Sequence, residues 1–432
     1  MSAFCKLAIF AQRLAAGNIG KAKTKSLTMK KKIINDPVHG FITIASEELL
    51  AVVNHPIMQR LRRIKQLGLT EMVYPGALHT RFHHALGAMH LMGMAMDTIA
   101  ERGTEISPQE RTAAQLAILL HDVGHGPFSH TLEHSILAGA NHEEVGHFLM
   151  HELAQEIGGS MPLALQMFAN TYERRFFHQL ISSQLDCDRL DYLKRDCFFT
   201  GVLEGAVGAG RLIKMLDVAR DSIVVESKGI YSVENFLNSR RLMYWQVYLH
   251  KTTVCAEEML IRLFLRARML LAAGEHLPTP EWLGFFFQQA ITMADFRANP
   301  EVASRFLLLD DSDVWTCVKL WLNHPDPVLS YLASALWNRQ LFRVSLASSA
   351  PSPEEIEQIG KQLKAKHDIS DGDLPFFLIT GTVSNAAYLA TATPIQILQR
   401  NGQIQEITQA TDLPYIAALA QTVTKHYVCL PR

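Results

Sequence analysis

The chain has 432 residues, enough for two or three domains and a sizeable core. Its 48% hydrophobic and 19% charged residues exclude a wholly disordered chain. The net charge of −1 is uneven: residues 1–32 carry eight Lys/Arg and no acid, so residues 33–432 carry 33 basic against 42 acidic side chains, or −9. Such a body is a poor general surface for nucleic acid. The six cysteines form no CxxC pair, which fits a reducing, cytoplasmic setting. No run of 18 uncharged apolar residues is present, so no membrane span is expected.

In chain order, residues 1–31 are expected to be a basic flexible tail or to follow a mis-assigned start, with Met29 as the alternative first residue. Asn35-Asp36-Pro37-Val38-His39-Gly40 is turn chemistry before a short alternating strand, Phe41–Ile44. Helices are then expected from Pro56 to Leu67, Phe82 to Ala100 and Pro108 to Leu120, the last with a Ser107/Glu110 capping box. Further helices are expected at 129–139, 141–157, 174–195 and 231–272. A helical extension runs to about 344, and Ser345–Pro353 reads as a linker. Residues 354–432 read as a small α+β module, with a helix at 354–366, strands at 376–379, 394–398 and 426–430, and a short helix near 413–421. The fold class is therefore mainly α, with an all-α core over 32–344 and the module at its end.

Histidine is concentrated. Eleven of the 19 lie between His79 and His151, where an even spread would give about three. Within that window, Leu119-Leu120-His121-Asp122-Val123-Gly124-His125-Gly126-Pro127-Phe128-Ser129-His130 ends an apolar helix with a His-Asp pair. Burying a carboxylate there is costly unless it is paired or faces a cation. One reading is a metal site; the other is a histidine cap and an ordinary ion pair. Arg81-Phe82-His83-His84 opens another helix, and Asp188, Arg189, Tyr192 and Asp196 share one helical face further on. That face by itself equally describes a solvated helix with local ion pairs.

The ordered blocks NDPVHG, QRLRRIKQLG, RFHHALG, LLHDVGHGPFSH, NHEE and DRLDYLKRD resemble the HD-domain metal-dependent phosphohydrolases, in the branch of the deoxynucleoside triphosphate (dNTP) triphosphohydrolases. The likeness covers roughly residues 32–270 and implies an HD-domain helical core. It implies that His84, His121, Asp122 and Asp188 hold one divalent ion per subunit. Two imidazoles and two carboxylates suit Mn, Fe, Co, Ni or Zn, and Mg less well. It implies catalytic roles for His125 and His142, a phosphate contact for His130, and an acid/base partner at Glu133, where the family usually has Asp. Arg81, Arg189 and Arg240 would neutralise the triphosphate, with Arg189 replacing a common Lys. Gln66 and Asp196 would bond the sugar 3′-hydroxyl, and Leu67, Tyr192 and Tyr248 would crowd out a 2′-hydroxyl.

The implied reaction gives deoxynucleoside and inorganic triphosphate. The resemblance further implies a homo-oligomer, dimer or tetramer, with a nucleotide activator at a subunit interface near Lys32, Gln59 and Arg62. Asn54 stands where an Asp reads guanine, which weighs against guanine-specific activation. Competing readings are another HD-type phosphohydrolase, such as a nucleotide phosphomonoesterase or nuclease, and a non-catalytic nucleotide sensor. His79, His83, His90, His134, His147 and His151 read as packing or solvent histidines, and Trp245 and Phe264 as core. Cys187 has no visible base partner and is not a nucleophile.

Overall fold

The computed structural model describes residues 31–128, 131–389 and 393–432. The basic segment, the pair Ser129 and His130, and residues 390–392 lie outside them. The chain opens with a hairpin, β1 (Lys32–Asp36) and β2 (Gly40–Ile44). Its tip is the NDPVHG turn, in which the Asp36 carboxylate accepts from the Val38 and His39 amides at 3.0 and 2.9 Å. This is the self-capping that makes Asp a turn former.

Helices follow: α1 (Glu47–Asn54), α2 (Pro56–Arg60), α3 (Arg81–Glu101) and α4 (Pro108–Leu120). Next come α5 (Glu133–Ile136), α6 (His142–Ile157), α7 (Met161–Phe168), α8 (Phe176–Ile181) and α9 (Cys187–Thr200). Helix α3 packs between α4 and α9 and is apolar nearly all round, so it forms the centre of the core. Met89, Met92 and Met96 are fully buried there.

Helix α10 (Ala209–Lys214) leads to β3 (Leu216–Ala219) and β4 (Ser222–Glu226). Then come α11 (Ile230–Met243), a wider π turn over Tyr244–Tyr248, and α12 (Lys251–Ala272). The extension is α13 (Glu281–Gln288), α14 (Met293–Ala298), α15 (Pro300–Phe306), α16 (Asp311–Leu320) and α17 (Pro327–Trp337). The remainder is β5 (Arg343–Ala347), α18 (Pro353–His367), α19 (Leu374–Phe377), β6 (Ile379–Asn385), β7 (Gln396–Leu398), β8 (Ile404–Glu406), α20 (Ile407–Ala410), α21 (Tyr415–Ala418) and β9 (Val423–Leu430).

Several expectations are corrected. Phe376 and Phe377, read as strand, close a short helix, and the helix read from Pro56 to Leu67 ends at Arg60 and gives way to a tighter turn over Leu61–Arg63. The helix read over 174–195 is two helices, because Ser182–Asp186 turns and Asp186 caps α9 through the Arg189 amide. The helix read over 231–272 is broken by the π turn and by His250, which caps α12. Residues 345–347, read as linker, end strand β5, which pairs with β9 beside β6. Strand β7 pairs in parallel with β4, so the C-terminal residues complete a sheet begun near residue 216. Trp245, read as core, is half-buried; Phe264 is buried.

Candidate active site

Helix α4 ends at Leu120, and His121 and Asp122 follow at its C-terminal end. Gly124 makes the turn possible, since a Cβ there would collide with the backbone of His142 and Gly146 at the start of α6. Phe128 has φ of 51°, a left-handed backbone rare for an aromatic residue. Buried Arg60 holds the loop from behind, donating to the carbonyls of His125 at 2.5 Å, Val123 at 3.4 Å and Leu309 at 3.2 Å. Asp311 at the start of α16 accepts from the Phe128 and Lys65 amides at 3.0 and 2.9 Å.

His84 lies in the first turn of α3. Its neighbour His83 is spent on capping: its Nδ1 bonds the Thr80 amide and hydroxyl at 3.2 and 2.9 Å. The Nε2 atoms of His84 and His121 face each other at 3.2 Å. Asp188 Oδ1 lies 3.0 Å from His84 Nε2 and 3.4 Å from His121 Nε2. Asp122 Oδ1 lies 3.4 Å from His121 Nε2. His84, His121 and Asp122 offer donor atoms all within 4.8 Å of one another, the spacing a single ion needs.

The donor chemistry fits a divalent cation. His84 Nδ1 bonds Asp191 at 2.8 Å and His121 Nδ1 bonds the Ile118 carbonyl at 2.6 Å, so both Nε2 lone pairs turn inward. Burial opposes charge on His84, yet the carboxylates of Asp188 and Asp191 push its pKa up to about 10. Burial would also raise Asp122, but Arg81 and the imidazoles of His121 and His125 hold it well below the usual carboxylate range. Both shifts express one demand for positive charge between these side chains, which a divalent ion meets more fully than a proton.

Behind His84 lies a buried network that sequence reasoning missed. Asp191 accepts from His39 Nε2 at 2.6 Å and from Arg195 at 2.9 and 3.0 Å. Arg195 reaches Asp36 at 2.8 Å. The NDPVHG turn thus supplies Asp36 and His39 to the back of the site. Gly87 on α3 leaves the room, for a Cβ there would overlap the Asp191 carboxylate and the Arg195 guanidinium. The signal was present as the i, i+4 pair Asp191/Arg195 in DRLDYLKRD, but nothing local tied it to His84.

One face of the ion site opens into a cleft of about 500 Å³. Its lining includes Gln66, Leu67, Arg81, His125, His142, Asp188, Arg189, Tyr192, Asp196 and Tyr248, brought together from six parts of the chain. His142 Nδ1 bonds Glu133 at 2.8 Å, so the longer Glu reaches its histidine, and the His142 ring stacks on His125 at 3.9 Å. Arg81 bonds Asp122 at 2.6 Å, and Arg189 bonds Asp186 at 2.5 Å. Arg240 is buried, bonded to Gln184 at 3.1 Å, and stands outside the cleft lining. His130 lies outside the described residues.

Asp196 is held on both oxygens, by Tyr248 Oη and by His79 Nε2, each at 2.7 Å. His79, read as a packing histidine, is buried against Phe199. Gln66 Oε1 is buried with no hydrogen-bond partner among the described residues. A second cleft of about 590 Å³ reaches the ion site from another side, past His147, His178 and Arg297. The Cys187 thiol is buried and pushed well up by burial and its flanking aspartates, as expected of an inert cysteine. Of the expected activator contacts, Arg62 bonds Gln59 at 2.8 Å and lies over the Phe82 ring. Among the described residues no helix is long and apolar enough to cross a membrane.

An HD pair at a helix end, completed by a histidine from α3 and an aspartate from α9, defines the class: this chain belongs to the HD-domain phosphohydrolase family. Residues 81–196 match the HD domain and 207–275 the HD associated region. A phosphohydrolase from Bacteroides thetaiotaomicron is 47% identical with a TM-score of 0.90, covering 93% of this chain and all of that one. The YwfO protein of Bacillus subtilis is 31% identical over 397 residues, 88% of each chain. The human deoxynucleoside triphosphate triphosphohydrolase SAMHD1 is 29% identical over 280 residues, 55% of this chain and 44% of that protein. The protein is a mainly helical HD hydrolase.

Proposed function

We propose that the protein hydrolyses deoxynucleoside triphosphates at the α-phosphorus, releasing deoxynucleoside and inorganic triphosphate, with one divalent transition-metal ion held by His84, His121, Asp122 and Asp188. One observation carries this reading. The cleft beside the ion site contains a carboxylate fixed by two partners, Asp196, and an orphaned buried acceptor, Gln66 Oε1. An unmet buried acceptor costs about 1–3 kcal/mol, which a ligand hydroxyl recovers. The two groups together suit the 3′-hydroxyl of a deoxyribose. Tyr192 and Tyr248, with ring centroids 6.0 Å apart, and Leu67 flank the same space and leave little for a 2′-hydroxyl.

When bound, the ion supplies charge stabilisation at the phosphoryl group and a lowered pKa for water. The chain's own groups do the rest. Glu133 fixes the ring of His142 through Nδ1, leaving Nε2 for proton transfer, and His125 stacks on it within the cleft. Arg189 presents a fixed cation beside Asp188, and Arg81 braces Asp122. Arg240 and His130 are carried over as triphosphate contacts from the family resemblance. The sequence blocks shared with the dNTP hydrolases support the same reading, which extends to a homo-oligomer with a nucleotide activator at a subunit interface. The test is to incubate manganese-loaded protein with each dNTP and its ribonucleotide counterpart and separate the products. Deoxynucleoside and triphosphate from dNTPs alone are expected; turnover of ribonucleotides at equal efficiency overturns the sugar assignment.

A further inference from the structure

Glu257 on α12 is a charged group of the cleft with no part in the metal, phosphate or sugar clusters. It is half-buried and takes a hydrogen bond from the Thr131 side chain. Among the described residues no Lys or Arg pairs with it, and its neighbour Glu258 is of like charge. Burial holds its carboxyl up to about 7. An acid left short of donors beside an open cleft is a poor structural element and a good receptor for hydrogen-bond donors.

Position narrows what those donors are. Tyr248 closes the π turn beside Asp196, Leu249 follows it, and α12 starts two residues later. Glu257 therefore stands about 9 Å along α12 from its first residue. The cleft lining also includes Thr70, Phe128, Thr131 and Leu249, which offer one ring, methyls and two hydroxyls, and Thr131 touches Glu257. With phosphates at Arg189 and the sugar at Asp196, this wall is what remains for the base.

Resting on the dNTP reading above, we propose that Glu257 reads the hydrogen-bonding edge of the nucleobase and favours bases that present donors. In its ionised form, which donors on a base would favour, the carboxylate only accepts. Guanine offers N1–H and an amino group side by side, which suits both oxygens. Adenine and cytosine offer one amino group. Thymine offers N3–H between two carbonyls that a carboxylate repels. The expected order of kcat/KM is dGTP first, dATP and dCTP next, dTTP last. Glu257→Gln replaces one acceptor by an amide donor, which opposes guanine and suits a thymine carbonyl.

The experiment measures kcat/KM for the four dNTPs with the manganese-loaded wild-type protein and Glu257→Gln. The ratio of dGTP to dTTP is expected to fall by about tenfold or more in the variant, the scale of one bidentate base contact. A folded variant with the wild-type ratio overturns the assignment. Should the variant not fold, the wild type decides alone: turnover of dTTP equal to dGTP overturns it, and the stated order supports it. Absence of turnover with all four dNTPs overturns the proposed function, a result separate from turnover without base preference.

Discussion

Replacing Asp191 by Asn perturbs the ion site without touching a proposed ligand. The carboxylate now takes four hydrogen bonds, from His39 at 2.6 Å, His84 at 2.8 Å and Arg195 at 2.9 and 3.0 Å, and is fully buried. Asparagine keeps one acceptor oxygen and turns a donor toward the other two N–H groups. Two charge-assisted bonds are lost, each worth about 1.5–3 kcal/mol. Relaxation brings the net cost toward the roughly 3–5 kcal/mol of a broken buried pair. The relaxation open to His84 is a tautomer switch, with Nδ1 accepting from the new amide. That places the proton on Nε2, the atom facing the ion site. Manganese affinity should therefore fall by about 10- to 100-fold, the usual range for losing such a support. Calorimetric titration of manganese into the metal-free protein measures it, with urea unfolding of the same sample reporting stability. A folded variant that binds manganese within about twofold of wild type refutes the reasoning.

Three further outcomes are expected. Gly87→Ala drives a Cβ into Asp191 and Arg195, so it should lower the unfolding free energy by about 1–3 kcal/mol or more and weaken manganese binding, read by the same two measurements. His79→Leu leaves one oxygen of Asp196 without its partner; steady-state kinetics on a dNTP should show KM raised by about tenfold and kcat changed far less. Asp311 is raised by burial from 3.8 to about 6, despite the amides of Lys65 and Phe128. Its folded state thus holds a proton more tightly than the unfolded state. Its contribution is fully present below pH 3.8 and is lost as pH rises through about 6, a change of roughly 3 kcal/mol. The difference in unfolding free energy between wild type and Asp311→Asn should therefore shift across that window and stay flat above pH 7.

What was legible in the sequence was local. The Ser107/Glu110 box marks the start of α4, apolar periodicity marks its length, and Gly124 marks where it must turn. The RFHH text left two adjacent histidines; the structure separates them by spending His83 on the Thr80 cap. Helix breaks at Ser182–Asp186 and Tyr244–Tyr248 were hidden because no Pro or Gly announces them. Asp186 and His250 act through side-chain caps that depend on the neighbouring backbone. The parallel pairing of β4 with β7 joins segments some 170 residues apart, which no local pattern records. The same distance hid the supports of the site: Asp36 sits in the NDPVHG turn, and nothing near Asp191, Arg195 or Asp311 in the chain ties them to the ion site. Arg240 bonds Gln184 outside the cleft lining, a placement its charge alone did not reveal.

The most direct test of the central claim is hydrolysis of a dNTP in water enriched in oxygen-18, with manganese-loaded protein and mass analysis of both products. Attack at the α-phosphorus predicts one heavy oxygen in inorganic triphosphate and none in the deoxynucleoside. Deoxynucleoside monophosphate with pyrophosphate, or label in the nucleoside, contradicts it.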